Sequence, residues 1–360
     1  MKKLQRIMIM AAGTGGHVFP GLALATACQA QGVEVVWLGT PNGMEKQWVT
    51  AADMPFYAID VKGLRGNGWR GWLTAPWRLS QACWQAYRLI KQLQPDAVLG
   101  MGGFVCGPGG LAAKLAGLPL YLHEQNAIVG LTNRLLAPLA KTVFCGFPVA
   151  GWKAKNQCLV GNPVRAAIRE VAALNAEDID ATPKQLLVIG GSRGARALNE
   201  TLPKALDLIH KEQRPKVIHQ TGAADQTSTQ AAYEACGINE AQVVSFIDDM
   251  AQAYAGCDLV IARAGALTVS EVQAAKRAAI FIPFPYAVDD HQSANADVLV
   301  NEAVAQKIIQ ADLTPEDLAR AIENWFTDQR WIEASAKLAS LPNQDATELV
   351  LSRIKQDLEK

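Results

Sequence analysis

Residues 263–271, Arg-Ala-Gly-Ala-Leu-Thr-Val-Ser-Glu, have the types and spacing of an anion-binding helix start. They follow the short apolar run 259–262, which is typical of a buried strand, and the apolar spacing then becomes helical. A helix start offers free N–H groups and a positive dipole end, and Arg263 adds a planar cation suited to phosphate. A structural alternative is a capping box, in which Thr268 and Glu271 only satisfy the helix start. The segment alone leaves both interpretations open.

Residues 13–17, Gly-Thr-Gly-Gly-His, form a second glycine loop after an apolar run. The loop lacks the full Gly-x-Gly-x-x-Gly spacing, and the next strand ends without the acidic residue that holds an NAD ribose, which disfavours NAD. Its glycines still allow close approach to a diphosphate, although a tight strand-helix turn would need them too. His17 is a candidate general base near neutral pH or, alternatively, a capping histidine.

Polar or glycine-rich residues also follow other predicted strands. Residues 102–110 are unusually rich in glycine, and His-Glu-Gln-Asn at 123–126 closes an apolar run. Polar residues at the carboxyl ends of strands suit a site better than a core. Gly-Gly-Ser at 190–192 resembles a phosphate-binding nest, with the Ser192 hydroxyl as a donor. Gln292 and Asn295 share one face of a predicted helix start, and their amides suit sugar hydroxyls.

No metal site is expected from the acidic residues or the cysteines. Asp289 and Asp290 are adjacent, which favours a solvated helix start over a metal ligand pair. The seven cysteines form no Cys-x-x-Cys pair and are odd in number, so neither zinc nor a disulfide framework is predicted.

Residues 64–78 differ in composition from the polar and glycine-rich loops, because tryptophans at helical spacing alternate with arginines. Tryptophan with arginine is the composition of a membrane-interface element, and a core helix is the alternative. Nucleic acid is disfavoured, since no recognition motif accompanies the segment. The candidate membrane residues are Arg65, Trp69, Arg70, Trp72, Trp77 and Arg78.

Charge and hydropathy support an asymmetric, two-domain protein. At 360 residues, half of them hydrophobic, the chain can bury two cores. Residues 1–160 hold 15 Lys/Arg and 6 Asp/Glu, net +9, and the remainder holds 19 and 28, net −9. A basic half can approach an anionic surface. No apolar run reaches the roughly 18 residues needed to span a bilayer, and the N-terminal run is predicted to be a strand rather than a signal peptide.

The elements that must position these residues alternate between strand and helix, which predicts an α/β fold with parallel sheets. The pattern breaks around 162–183 and then restarts with strand, glycine loop and helix. The tail, 345–358, is predicted to be a terminal helix with an apolar face. Strands are predicted at 4–11, 33–38, 97–99, 118–122 and 142–144, and at 185–189, 216–219, 243–246, 259–262 and 279–282.

Five motifs occur in a characteristic order: the glycine loop at 13–17, His-Glu-Gln-Asn at 123–126, Gly-Asn-Pro-Val-Arg at 161–165, Gly-Gly-Ser-Arg-Gly-Ala at 190–195, and 263–271. With them the chain resembles, essentially from end to end, the MurG family of bacterial peptidoglycan glycosyltransferases, glycosyltransferase family 28. The resemblance implies a GT-B fold, two Rossmann-like domains with parallel sheets facing across a cleft. The implied domains are 1–162 with 343–360, facing acceptor and membrane, and 163–342, binding UDP-GlcNAc.

The resemblance also implies a reaction and a location. N-acetylglucosamine would pass from UDP-GlcNAc to the 4-hydroxyl of the MurNAc unit of lipid I, which is the undecaprenyl-diphosphate-linked MurNAc-pentapeptide. The transfer would invert the configuration at the anomeric carbon and form lipid II, without a metal or other cofactor. The enzyme would be peripheral, on the cytoplasmic face of the cell membrane at its anionic inner leaflet, with cell-wall synthesis proteins as possible partners.

Residue roles follow from the same resemblance. His17 matches the proposed base or an acceptor-binding position, with Glu124 as the rival base. Glu271 matches a ribose ligand, and Ile247 matches a backbone contact to uracil. The implied donor-binding positions are Thr14, Gly15, Gly16, Asn126, Arg165, Ser192, Ile247, Arg263, Ala266, Leu267, Thr268, Glu271, Gln292 and Asn295. The implied acceptor-diphosphate positions are Gly13, Gly16, Gly102 and Gly103.

One departure and two alternatives remain. Arg193 stands where many relatives have glutamine, so it would either add a cation beside the diphosphate or point to solvent. A UDP-GlcNAc 2-epimerase shares the architecture and the nucleotide sugar, but it needs no lipid acceptor. The second alternative is a non-catalytic sugar-nucleotide binding module. Neither alternative explains His17, the acceptor-side loops and the basic half together.

Overall fold

The computed structural model describes residues 3–13, 15–61, 68–149, 151–175, 184–191, 194–327, 329–342 and 344–360, and leaves the side chains of 68–75 and 288 undescribed. The chain divides into two compact units. Unit 1 is Met1–Pro163 with Gln344–Lys360, and unit 2 is Val164–Asn343.

Unit 1 is built on seven parallel strands with helices between them. The strands are β1 (Arg6–Ala11), β2 (Glu34–Gly39), β3 (Phe56–Ala58), β4 (Ala97–Gly102), β5 (Leu120–Glu124), β6 (Thr142–Cys145) and β7 (Gln157–Leu159). The helices are α1 (Gly15–Ala30), α2 (Glu45–Ala51), α3 (Gly68–Leu93), α4 (Cys106–Leu115) and α5 (Leu131–Leu136), followed by a 3₁₀ turn at Ala137–Leu139. The spatial order is β3-β2-β1-β4-β5-β6-β7.

Unit 2 repeats this plan with six parallel strands. The strands are β8 (Gln185–Ile189), β9 (Lys216–Gln220), β10 (Gln242–Val244), β11 (Leu259–Ala262), β12 (Ala278–Phe281) and β13 (Ala305–Lys307), in the order β10-β9-β8-β11-β12-β13. The helices are α6 (Ala166–Arg169), α7 (Arg196–Leu208), α8 (Gln226–Ala235), α9 (Met250–Ala255), α10 (Ala266–Ala274), α11 (His291–Val300), α12 (Pro315–Thr327) and α13 (Arg330–Ser340). Short 3₁₀ turns lie at Val288–Asp290 and Gln310–Asp312.

The terminal helix, α14 (Ala346–Glu359), packs on the unit 1 sheet. Asp345 caps it by accepting bonds from the N–H groups of Thr347 and Glu348. Val350 and Ile354 are fully buried in the same core as α1, so the apolar face predicted for the tail helix is present.

In each sheet the strand order reverses beside the first strand, between β1 and β4 and between β8 and β11. Ligands of open α/β sheets bind at the carboxyl ends of strands at such a switch point. The loops after these four strands begin near Ala12, Gly103, Gly190 and Arg263. The topology therefore places the predicted glycine loops and the 263–271 segment where such folds bind ligands.

The predicted α/β fold with parallel sheets is confirmed, and most predicted strands are present within one to three residues. Three strands were missed, β3, β7 and β13. Each has three residues, lies at a sheet edge and is largely half-exposed, so it lacks the continuous apolar run that marks a buried strand.

Candidate functional site

The first glycine loop of unit 1 leads from β1 directly into α1. Because α1 begins at Gly15, the N–H groups of Gly15 and Gly16 lie in its first turn and have no intrahelical partner. The Gly13 N–H is different, since it donates to Oε2 of the buried Glu45 at 3.2 Å. Gly13 was predicted to face a diphosphate, but in this structure its N–H is already engaged. An anion at this loop would therefore use the start of α1.

Gly102 and Gly103 follow β4 and allow the chain to approach His17 and the end of β1. Both have positive φ, 120° and 85°, which favours glycine. A Cβ on Gly102 would lie 2.5 Å from Nδ1 of His17, and one on Gly103 would lie 2.2 Å from the carbonyl oxygen of Ala12. The two glycines thus make room for the imidazole beside the glycine loop.

His17 lies in the first turn of α1 and bonds to the end of β5. Its Nδ1 is 3.0 Å from Oε1 of Gln125. Nε2 of Gln125 donates to the Met101 carbonyl oxygen at 2.8 Å and lies 3.3 Å from Nδ1 of His123. His123 is fully buried, and burial lowers its pKa to about 4. The sequence marked Gln125 only as a member of the 123–126 motif and assigned it no role.

Glu124 is buried, and both its carboxylate oxygens are occupied. Oε1 accepts from the backbone and side-chain nitrogens of Asn126 at 3.0 and 3.1 Å. Oε2 accepts from Gly130 N and Asn133 Nδ2 at 3.0 and 2.9 Å. Four donors on a buried carboxylate indicate that it shapes the loop after β5, which disfavours Glu124 as the base. Asn126 is engaged with it in the same loop.

The start of α10 in unit 2 presents three neighbouring N–H groups. Its N-cap is Gly265, and the first i→i−4 bond runs from Val269 N to Gly265 O at 2.9 Å. The N–H groups of Ala266, Leu267 and Thr268 therefore have no intrahelical partner. The capping-box alternative is wrong, because the helix starts before Thr268 and has no side-chain cap.

Glu271 bonds instead to two side chains beside α10. Its Oε1 accepts from the Arg165 guanidinium at 3.0 Å, and its Oε2 accepts from the Tyr254 hydroxyl at 3.5 Å. The Glu271 side chain is 9% exposed and that of Arg165 is 45% exposed. Burial raises the pKa of Glu271 above its ordinary 4.5, and Arg165 opposes that shift. Tyr254 lies on α9 and was not singled out in the sequence.

Arg263 follows β11 and spans toward the end of β12. Its guanidinium donates to the carbonyl oxygens of Ile282 and Pro283 at 3.0 and 3.2 Å and to Gln310 Oε1 at 2.6 Å. These acceptors are neutral, and no carboxylate in the described part of the chain forms an ion pair with Arg263. Burial lowers the pKa of Arg263 below the ordinary value of a guanidinium. A fixed positive charge therefore remains beside the start of α10.

The two predicted sugar-binding amides have different surroundings. Gln292 is half-buried, and its Oε1 accepts from Phe284 N at 2.9 Å, so its NH₂ group remains available. Asn295 is fully buried and donates to the Ala264 carbonyl at 3.2 Å, which holds α11 against the α10 loop. Asn295 therefore stabilises the contact between α11 and the loop before α10, whereas the NH₂ group of Gln292 can bind a ligand.

Asp289 and Asp290 precede α11 in left-handed conformations, with φ of 53° and 50°. Two consecutive non-glycine residues in this region store strain, a feature common at ligand sites. Within the described ranges, no group of three or more His, Cys, Asp or Glu residues is arranged to hold a metal.

The loop after β8 packs against the end of β9. A Cβ on Gly194 would lie 2.2 Å from the Thr221 carbonyl oxygen, and Gly190 N donates to Gln220 O at 3.1 Å. Ile247 is half-buried in the loop after β10. The remaining predicted members of these loops, Thr14, Ser192 and Arg193, lie outside the described residues.

Several apolar side chains on α3, α4 and α5 of unit 1 are exposed, and together we call them the apolar band. Trp77 is 69% exposed, and the exposed Arg88 stacks over the Trp84 ring at 4.7 Å. The band consists of Trp77, Leu79, Trp84, Leu111, Leu115, Leu131 and Leu135. Arg78, Lys114 and Arg134 are also exposed on these helices.

The predicted membrane residues fall partly within this region. Trp77 and Arg78 are exposed, so a core role is wrong for Trp77. Arg65 lies outside the described residues, and the side chains of Trp69, Arg70 and Trp72 are likewise outside them. No helix among the described residues is long and apolar enough to cross a bilayer.

Known proteins resemble this chain over nearly its whole length. The family model for the glycosyltransferase family 28 N-terminal domain matches residues 7–145, and that for the C-terminal domain matches residues 185–350. A relative from Hydrogenovibrio crunogenus, named UDP-N-acetylglucosamine–N-acetylmuramyl-(pentapeptide) pyrophosphoryl-undecaprenol N-acetylglucosamine transferase, is 54% identical over 351 residues, which cover 98% of each chain.

Two solved structures place the fold. MurG from Acinetobacter baumannii is 42% identical, with a TM-score of 0.83 over 98% of this chain and 99% of that one. A UDP-N-acetylglucosamine 2-epimerase has a TM-score of 0.68 over 99% and 97%, but at 14% identity it shares only the fold. The predicted GT-B fold is confirmed, and the chain belongs to glycosyltransferase family 28.

Proposed function

We propose that the protein transfers GlcNAc from UDP-GlcNAc to the 4-hydroxyl of the MurNAc unit of lipid I, with inversion, and so forms lipid II. The observation that carries the proposal is the start of α10, where three N–H groups lacking helical partners lie within one and a half turns of the buried Glu271 carboxylate. Such a start suits a diphosphate, and a carboxylate at this distance suits ribose hydroxyls. The name of the Hydrogenovibrio relative supports the same donor and acceptor.

On the donor side, the N–H groups of Ala266, Leu267 and Thr268 bind the diphosphate, and Arg263 adds positive charge. The Glu271 carboxylate accepts hydrogen bonds from the ribose hydroxyls, and Arg165 bonds to the same carboxylate. Gln292 donates to a sugar hydroxyl, and the backbone at Ile247 meets the uracil. The remaining implied donor-binding positions are Thr14, Gly15, Gly16, Asn126, Ser192 and Asn295.

The reaction is an in-line displacement at the anomeric carbon. The acceptor 4-hydroxyl oxygen forms the new bond to this carbon while the bond to the diphosphate oxygen breaks. The hydroxyl proton passes to His17, and UDP leaves with the electron pair. Fixed N–H donors stabilise the negative charge that develops on UDP, which is the part of the barrier that such groups lower most.

On the acceptor side, the start of α1 and the Gly102–Gly103 turn bind the lipid-linked diphosphate. The apolar band supports contact of unit 1 with the anionic inner leaflet of the membrane, because apolar side chains interleaved with arginine and lysine suit that interface. The protein would then work as a peripheral enzyme on the cytoplasmic face, where cell-wall synthesis proteins could meet it.

The test measures UDP release with and without a lipid I analogue. The proposal predicts release that depends on the acceptor. Acceptor-independent formation of UDP-ManNAc would instead identify a 2-epimerase. Tight UDP-GlcNAc binding without release in either reaction would identify a non-catalytic binding module.

A further inference from the structure

Gln125 is a buried amide whose hydrogen bonds have only one consistent direction. The residue is 1% exposed. The Met101 carbonyl can only accept, so the Gln125 nitrogen must face it and Oε1 must face His17. Because a carbonyl oxygen cannot donate, His17 must carry a proton on Nδ1. In neutral His17 the lone pair therefore lies on Nε2.

The opposite end of this hydrogen-bond chain is anchored by His123. Its Nε2 is 3.1 Å from the Gly161 carbonyl oxygen, so Nε2–H donates there and Nδ1 accepts from Gln125. Burial lowers the pKa of His123 to about 4, which keeps it neutral near neutral pH. Gly161, His123, Gln125 and His17 thus form a chain with a fixed direction.

Three ionisable groups that are buried on neighbouring elements of the described chain have partners other than His17. Glu124 on β5 bonds to Asn126, Gly130 and Asn133. Glu45 on α2 accepts from Gly13 and Thr40. The Cys106 thiol at the start of α4 bonds to Met10 and Gly102, and burial raises its pKa to about 12.

We propose that Gln125 is a positioning residue for His17. It fixes the tautomer with the proton on Nδ1, which leaves Nε2 as the atom that takes the proton of the acceptor hydroxyl. The proposal rests on the proposed function, in which His17 is the base. A neutral amide orients the imidazole and stabilises its protonated form less than a carboxylate at the same place would.

The direct test is nitrogen-15 NMR of the full-length protein labelled at histidine, which reports the ring nitrogen that carries the proton. Wild type should show His17 protonated on Nδ1, and Gln125→Leu should lose this preference. Asn156→Leu is the matched control, because it removes an amide that makes two backbone bonds in the same unit, and it should leave His17 unchanged. A wild-type proton on Nε2, or an unchanged tautomer in Gln125→Leu, would overturn the proposal.

Kinetics supply a second readout that a merely structural role would not produce. Gln125→Leu should lower kcat at least tenfold with little change in KM for either substrate. Gln125→Glu should move the acid limb of the kcat/KM profile to higher pH, because a carboxylate against Nδ1–H favours the imidazolium. A changed tautomer with unchanged kcat would overturn the positioning role and the base assignment together. If wild type transfers no sugar, the proposed function fails, whereas the NMR result still decides the tautomer.

Discussion

Replacement of Glu271 by glutamine should weaken UDP binding far more than it changes stability. In the proposed complex the ionised carboxylate accepts from the ribose, and a hydrogen bond to a charged group contributes about 1.5–3 kcal/mol. Glutamine keeps one oxygen that accepts a neutral hydrogen bond of about 0.5–1.5 kcal/mol, so the net loss of about 1–2 kcal/mol corresponds to roughly a 5- to 30-fold rise in Kd for UDP. Glutamine keeps the size of the side chain, and Arg165 is 45% exposed. The lost ion pair is therefore screened by solvent and should change the free energy of unfolding by about 1 kcal/mol or less.

The effect of pH on Glu271 has a definite sign. Burial raises the pKa of Glu271 above 4.5 in the folded protein. For stability, this group favours folding at pH below 4.5, and that contribution is lost as the pH rises through the folded pKa. UDP affinity behaves oppositely, since the ribose prefers the ionised carboxylate. Affinity should fall as the pH falls through the raised pKa in wild type, and this dependence should disappear in Glu271→Gln.

The assay is calorimetric titration of UDP, with thermal unfolding of the same samples. Glu302→Gln is the matched control, because Glu302 pairs with Lys337 on the surface of the same unit at 3.3 Å. The control should leave both UDP affinity and stability nearly unchanged. A Glu271→Gln protein with lowered stability and wild-type UDP affinity would refute the ribose assignment and leave Glu271 with a structural role.

Three further changes test separate parts of the structure. Gly103→Ala should destabilise unit 1 by about 2–4 kcal/mol in urea unfolding, because the residue has a positive φ and its Cβ would overlap a carbonyl oxygen. The control is Gly117→Ala, which also has a positive φ, 76°, but has open space around the new Cβ, and it should cost about 1 kcal/mol. His219 is buried with its pKa lowered to about 3, so its own contribution to the free energy of unfolding should drop by about 2 kcal/mol as the pH falls from 7 to 5. The total drop should be smaller in His219→Gln by about this amount, and an equal drop in the variant would contradict the assignment. Replacement of both Trp84 and Leu135 by serine should lower binding to anionic vesicles roughly tenfold in flotation assays, whereas the control Leu208→Ser in unit 2 should not lower it. Equal binding by the wild type, the double variant and the control would exclude the apolar band as the membrane contact.

The sequence predicts the fold well because buried parallel strands carry continuous apolar runs. The runs at 185–189 and 259–262 coincide with β8 and β11 to the residue. Since ligand loops follow the carboxyl ends of such strands, the candidate loops could be located as well. The capping-box alternative failed because spacing alone does not reveal where a helix begins, and Gly265, which has no side chain, is the N-cap of α10.

The partners of the candidate residues could not be predicted in the same way. Glu45 reaches Gly13 from α2, and Tyr254 reaches Glu271 from α9. Both contacts depend on how helices pack after the sheet has formed, and neither residue belongs to a local pattern. Gln125 lay inside a recognised motif, but its role follows only from the donors and acceptors around it.

Transfer of isotope-labelled GlcNAc from UDP-GlcNAc to a lipid I analogue, followed by NMR of the isolated product, tests the proposed reaction. We expect the label on the MurNAc 4-oxygen, with the anomeric configuration opposite to that of the donor. Label that remains on the nucleotide as UDP-ManNAc, or a product with retained configuration or another linkage, would contradict it.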